Sequence, residues 1–136
     1  MVKLISSASV PGGVSTFRES VPKKVPFRAQ HLVLEAVQKM LEQSGFRFIQ
    51  RWLPQACRSA EWVCAESMEL HRLFPFLNQH KKYVSSKGFH QILAKLRSLR
   101  HTVSNIRHAA VHRILQDSES LLEMLQAAVA FVSCIG

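Results

Sequence analysis

The segment Ile106-Arg107-His108-Ala109-Ala110-Val111-His112-Arg113 holds the residues best equipped for chemistry. Histidine has a pKa near neutrality and can take up or release a proton at physiological pH. Arginine carries a permanent charge and a rigid fork of donors that matches phosphate oxygens. Residues 70–116, which surround this segment, contain no Asp or Glu. They contain nine Lys/Arg (Arg72, Lys81, Lys82, Lys87, Lys95, Arg97, Arg100, Arg107, Arg113) and six of the seven histidines. The rest of the chain balances nine basic against nine acidic residues, so the whole net charge of +9 resides in one window. Such a concentration implies an anionic partner, and nucleic acid is the commonest.

The helix expected to carry these residues repeats apolar positions at Phe89, Ile92, Leu96, Leu99, Val103, Ile106 and Ala110, in unbroken steps of three and four. That pattern is a buried seam. At about 100° per residue, Arg100 and Arg107 flank the seam, while Arg97, His101, Ser104 and His108 point away from it. His101, Asn105, His108 and His112 form one line along the helix. Histidine is a mediocre helix former, and Lys or Glu would solubilise such a face better. The line is therefore a candidate site, with a plain water-bathed basic face as the alternative. His108 and His112 have the i, i+4 spacing of a zinc clasp. No nearby carboxylate or thiol completes the set, so no metal and no other cofactor is expected.

Four helices are expected to position these residues. The first spans about 28–43, with Ser44-Gly45 as a C-cap signal and Val33, Val37, Met40 and Leu41 as its buried face. The second spans about 46–73, kinked or restarted at Pro54 and stopped by Pro75. Leu53, Cys57, Ala60, Cys64 and Met68 make its stripe, flanked by Trp52 and Trp62. Residues 73–88 read as a connector. The third helix starts after Ser85-Ser86 and runs to about Arg113. The fourth starts at an Asp117 N-cap, with Leu121, Leu125, Ala128 and Val132 as its seam. Short connections between long amphipathic helices imply an all-α antiparallel bundle of four to five helices.

A length of 136 residues gives one domain, and 47 % apolar residues suffice for a core. Residues 1–26, rich in Ser and holding Pro11-Gly12-Gly13, Pro22 and Pro26, read as a flexible leader before a bundle at 27–136. Three cysteines, an odd number, argue against a disulfide framework and point to buried thiols in a reducing compartment, hence an intracellular, cytoplasmic location. No apolar run reaches the length of a membrane span. There is no glycine-rich phosphate loop, which excludes P-loop chemistry, and no paired carboxylates in apolar surroundings suggest glycosidase or protease work.

The order Arg107, polar His108, three further residues and His112 resembles the signature of the HEPN superfamily, on a long helix late in an all-α domain. The resemblance covers the bundle from about Arg28 onward. It implies a HEPN-like fold, a homodimer with the motif helices at a composite cleft, and metal-independent endoribonuclease activity. In that case His112 would serve as general base or acid, Arg107 as phosphate clamp, and His108 would orient one of them or share the proton transfer. Lys95, Arg97, Arg100 and Arg113 would track the RNA backbone. A protein partner that restrains the activity would also be in keeping. The competing expectation is a non-catalytic basic helical module that binds nucleic acid or an acidic protein. One geometric point weighs on the catalytic reading: five residues place Arg107 and His112 about 140° apart on an ideal helix, so a second protomer has to close the gap.

Overall fold

The computed structural model describes residues 24–135. The leader expected at 1–26 lies outside them except for 24–26, and Lys24 already pairs with Asp117 in an isolated antiparallel bridge. The described chain is all-helical, with six α-helices: α1 (Phe27–Trp52), α2 (Pro54–Ser59), α3 (Leu73–His80), α4 (Lys87–Ser98), α5 (Arg100–His112) and α6 (Ser118–Ile135). No extended strand forms among the described residues.

α1 does not stop at Ser44-Gly45 but continues to Trp52. The glycine is there for space, not for a cap. A Cβ on Gly45 would stand 3.1 and 3.3 Å from the two Leu73 methyls and 3.4 Å from Met68 Cε. Leu73 and Met68 are fully buried and have no room to retreat. Gly45→Val is therefore expected to destabilise the fold by about 1–3 kcal/mol, the usual cost of overpacking. A urea melt showing an unchanged midpoint would contradict this account of the glycine. The buried face of α1 also differs from the expected one: Leu34, Val37, Leu41 and Phe48 point inward, while Val33 and Met40 are exposed.

Pro54 restarts the chain as the first residue of α2. That helix is only a turn and a half long. Glu61 adopts φ 62° and reverses the chain, so the expected stripe of Cys57, Ala60, Cys64 and Met68 does not exist. Cys57 and Met68 are buried, but Ala60 and Cys64 are exposed. Two 3-10 turns, Ala65–Ser67 and Leu70–Arg72, lead into α3. Pro75 sits in the first turn of α3 rather than ending a helix, a position where its missing N–H costs nothing. Trp62 is buried against Phe76, with ring centroids 4.5 Å apart, and half-buried Trp52 packs on Phe89 at 5.5 Å.

The expected third helix is bent into α4 and α5. Ser86 caps α4 by accepting the Phe89 N–H at 3.3 Å. At the other end the Ser98 hydroxyl donates to the Lys95 carbonyl at 2.6 Å, and the Leu99 N–H turns to Leu96 O instead. That local capture of a helix carbonyl by serine breaks the ladder at Leu99. The apolar seam runs on through the bend, with Phe89, Leu93, Leu96, Val103, Ile106 and Ala110 buried.

Three rods make the core. The bent α4–α5 rod is antiparallel to α1: Phe89 stacks on Phe48 at 5.5 Å near one end, and Ile114 meets Gln30 at the other. α6 instead runs parallel to α1, since the chain at Ile114–Gln116 binds Gln30 near the start of α1, while Val132 and Ile135 border Arg47 and Arg51 near its end. The bundle is thus not antiparallel throughout. Asp117 caps α6 as expected, accepting the Ser120 N–H at 2.8 Å. α2, α3 and the two 3-10 turns close one side.

Candidate functional site

α5 presents two polar faces, and the structure separates residues that the sequence grouped together. Arg100, Ser104 and Arg107 share one face by helical register, and Arg97 joins them from the end of α4 across the bend. They form one wall of an open groove of about 620 Å³. The other wall is His71, Phe74, Pro75 and Asn78, with Lys81 at its edge, and the buried side chains of Leu70, Leu93 and Val103 make the floor. Arg97 is held across the groove by Asn78, whose Oδ1 accepts from Nη2 at 2.7 Å.

Four cations therefore converge on one groove, and no Asp or Glu lines it among the described residues. With nothing to neutralise them, they hold a positive potential over a partly apolar floor, where attraction to an anion is screened less than on open surface. Arg100 and Arg107 leave the helix two turns apart, about 10 Å along the axis, so the positive charge is spread along the groove.

The histidine line is real but faces elsewhere. His101, Asn105, His108 and His112 are all exposed on the adjoining face of α5. Asn105 Nδ2 lies 3.4 Å from His101 Nε2, and the His108 and His112 rings are in contact, with centroids 4.6 Å apart at 59°. None of these histidines lines the groove. The structure therefore brings together Arg97, Arg100 and Arg107, and sets His108 and His112 apart from them. Lys95 leaves the group too. It projects toward α6, where its charge acts on Cys134. Arg113 ends α5 in the left-handed conformation (φ 57°) and is exposed beyond the groove.

His71, Asn78, Lys81 and Ser104 are groove residues that the sequence did not reveal as a site. Ser104 was expected to point away with His101 and His108, but it lines the groove between Arg100 and Arg107. Asn78 and Lys81 sit on α3 and the turn after it, in a stretch that reads as a connector, and His71 sits in a 3-10 turn at the end of the expected second helix.

Glu42 anchors that wall to α1 by accepting the Leu70 N–H at 3.0 Å. Burial pushes its carboxyl above the ordinary value of 4.5, against the pull of that hydrogen bond, with Glu69 and Glu66 adding a smaller push. A raised folded pKa means the folded state holds the proton more tightly than the unfolded one. The Glu42 contribution to stability is thus fully present below 4.5 and is lost as pH rises through the folded value. Glu42→Gln, which keeps the acceptor and removes the charge, is expected to melt higher than the parent at neutral pH and to lose that advantage below pH 4.5. Melting curves across that range check the sign.

Cys57 and Cys134 are not reactive candidates, whereas Cys64, expected to be buried, is exposed beside Ser67. Burial pushes Cys57 and Cys134 upward, and the Cys57 Sγ donates to the Trp62 carbonyl at 3.4 Å. No cluster of three or more metal-ligating side chains occurs among the described residues. A scan against protein-family models returned no match, and searches of curated proteins and of solved structures returned none either.

Proposed function

We propose that the chain is an RNA-binding helical module that holds single-stranded RNA by its backbone in the arginine groove. The observation that carries this reading is the convergence of Arg97, Arg100, Arg107 and Lys81 on a groove with no acidic lining. Arg100 and Arg107 leave the helix about 10 Å apart along its axis, which lets them reach separate phosphates of one strand. Ser104 and His71 stand among the cations as hydrogen-bonding groups of the kind that a 2′-hydroxyl uses.

Fluorescence anisotropy with a labelled single-stranded oligoribonucleotide tests it directly. Three or four backbone contacts on a single strand predict a log–log salt dependence with a slope of about −2 to −3. Affinity that is flat in salt, or absent at low salt, would end this reading.

Metal-independent cleavage of the HEPN type is a second reading. One observation favours it: Arg107 belongs to the groove while His108 and His112, in ring contact, stand on the adjoining face of the same helix. A phosphate held at Arg107 would then need its imidazoles from a second protomer. Incubating RNA with the protein in EDTA, beside Arg107→Ala and His112→Ala, separates the two readings. Cleavage by the parent that both substitutions abolish supports the enzyme, and binding without cleavage supports the module.

A further inference from the structure

The molecule has a second unusual surface, away from the groove. α6 has a mean hydropathy of 1.3 over its 18 residues, yet only 28 % of it is buried. Met124, Ala127, Ala128 and Phe131 occupy its inward side. On its outward side Leu122 and Val129 are 54 % and 66 % exposed. α1 runs parallel beside it and turns Val33 and Met40, 37 % and 52 % exposed, to the same side. Leu125 and Val132 lie half-buried in the seam between the two helices. Single exposed apolar residues need no explanation, but a strip across two adjacent helices does.

The charge distribution identifies what covers the strip. α1 and α6 together carry Arg28, Lys39, Arg47 and Arg51 against Glu35, Glu42, Glu119 and Glu123, and so net to zero. The face of α4 and α5 belongs to the window that carries the entire +9. Two copies can therefore meet on the α1–α6 side with their basic faces turned apart, whereas contact through α5 would press like charges together. The strip has a basic end, where Arg47 borders Val132, and an acidic end at Glu119 in the first turn of α6, so an antiparallel two-fold contact brings opposite signs together. Ala29, Ala36 and Ala130 are exposed small residues that permit close helix approach.

We propose that the α1–α6 face is the interface of a two-fold homodimer, with both arginine grooves on its outer sides. An isologous contact of this kind pairs the same strip on both subunits. The arrangement is independent of the RNA reading. Where RNA does bind, the dimer offers two grooves to one strand, which raises avidity without new contacts. It also keeps the two α5 helices apart, so a composite cleft of the HEPN type does not form through this interface.

Light scattering on the full chain is the test, with Val129→Glu and Met40→Glu as separate variants at exposed positions and circular dichroism as the folding control. The expected result is a parent of twice the monomer mass at micromolar concentration, and monomers with unchanged helicity for both variants. Arg107→Glu is expected to stay dimeric. A parent that is monomeric up to submillimolar concentration overturns the proposal. So does a dimer that survives both strip variants but dissociates with Val111→Glu on α5. Co-sedimentation with phosphatidylcholine vesicles by a monomeric parent, abolished in Val129→Glu, would show that a lipid surface and not a second copy covers the strip, and would equally overturn it.

Discussion

Arg100→Glu combined with Arg107→Glu is expected to weaken RNA binding by about a hundredfold or more at moderate salt, because two charge-assisted phosphate hydrogen bonds disappear and repulsion replaces them. The salt slope flattens as well, by about 0.7 for each phosphate of a single strand that no longer meets a cation. The size of the effect follows from the groove. Arg100 is exposed and Arg107 half-buried, so neither charge is neutralised by the fold, and no acidic neighbour lines the groove to share them. Arg97→Ala is expected to cost less than Arg100→Ala, because Arg97 already commits one N–H to Asn78. Lys95→Ala and Arg113→Ala supply the contrast. Both remove a positive charge from the same basic window, but Lys95 points toward α6 and Arg113 lies past the end of α5. Each is expected to lower affinity by about twofold, the share of a distant screened charge. Anisotropy titrations over the series decide between a site and a diffuse field. Equal effects per charge removed, whatever the position, would mean that the groove has no special role.

This contrast also marks where sequence reasoning reached and where it stopped. The shared face of Arg100 and Arg107 was legible because a spacing of seven fixes a helix face irrespective of the fold, but Arg97 and Ser104 were read as pointing away with His101 and His108, whereas they line the groove with the two arginines. Lys95 is five residues before Arg100, about 140° around an ideal helix, so grouping it with the groove rested on composition and not on register. The opposite wall was illegible for a different reason. Pro75 looks like a terminator, yet it lies in the first turn of α3, a short helix that packs Phe76 on Trp62. Gly45 misled in the same way. A glycine after a polar residue carries the sign of a C-cap, but here it admits Leu73 against the α1 backbone, a contact 28 residues away in sequence. The bend at Leu99 left no trace in the seam, because the Ser98 hydroxyl breaks one backbone bond without shifting the apolar period. The all-α bundle itself survived these errors, since its buried positions recur with helical period on every rod.

Gln30→Ala is expected to cause the largest loss of stability from a change that touches neither the groove nor the apolar core. Gln30 is only 1 % exposed, on the first turn of α1. Its Nε2 donates to the Ile114 carbonyl at 2.6 Å, and its Oε1 accepts the Gln116 N–H at 2.7 Å. One side-chain amide thus satisfies both backbone groups of the connector between α5 and α6. That connector has left the helix ladder after Arg113 and has few partners of its own. Truncation to alanine would leave the Gln116 N–H without its acceptor, at about 1–3 kcal/mol for a group left unsatisfied, while the exposed Ile114 carbonyl keeps the Gln116 Nε2 donor at 3.4 Å. A loss of about 1–3 kcal/mol is a large part of the stability of a domain this size. Gln30→Glu distinguishes the two bonds. The carboxylate can still accept from Gln116 but cannot donate to Ile114, and it buries a charge, so it is expected to be at least as harmful as alanine at neutral pH and to recover when protonated in acid. Hydrogen exchange gives the local reading. Removing the amide clamp frees the start of α1 from the α5–α6 connector, and the Gln116 amide loses protection first. If that amide exchanges no faster in Gln30→Ala than in the parent, the connector is held by packing and the clamp is incidental. If it does, the same clamp that sets α6 parallel to α1 also fixes where α5 ends, and with it the position of Arg107 in the groove.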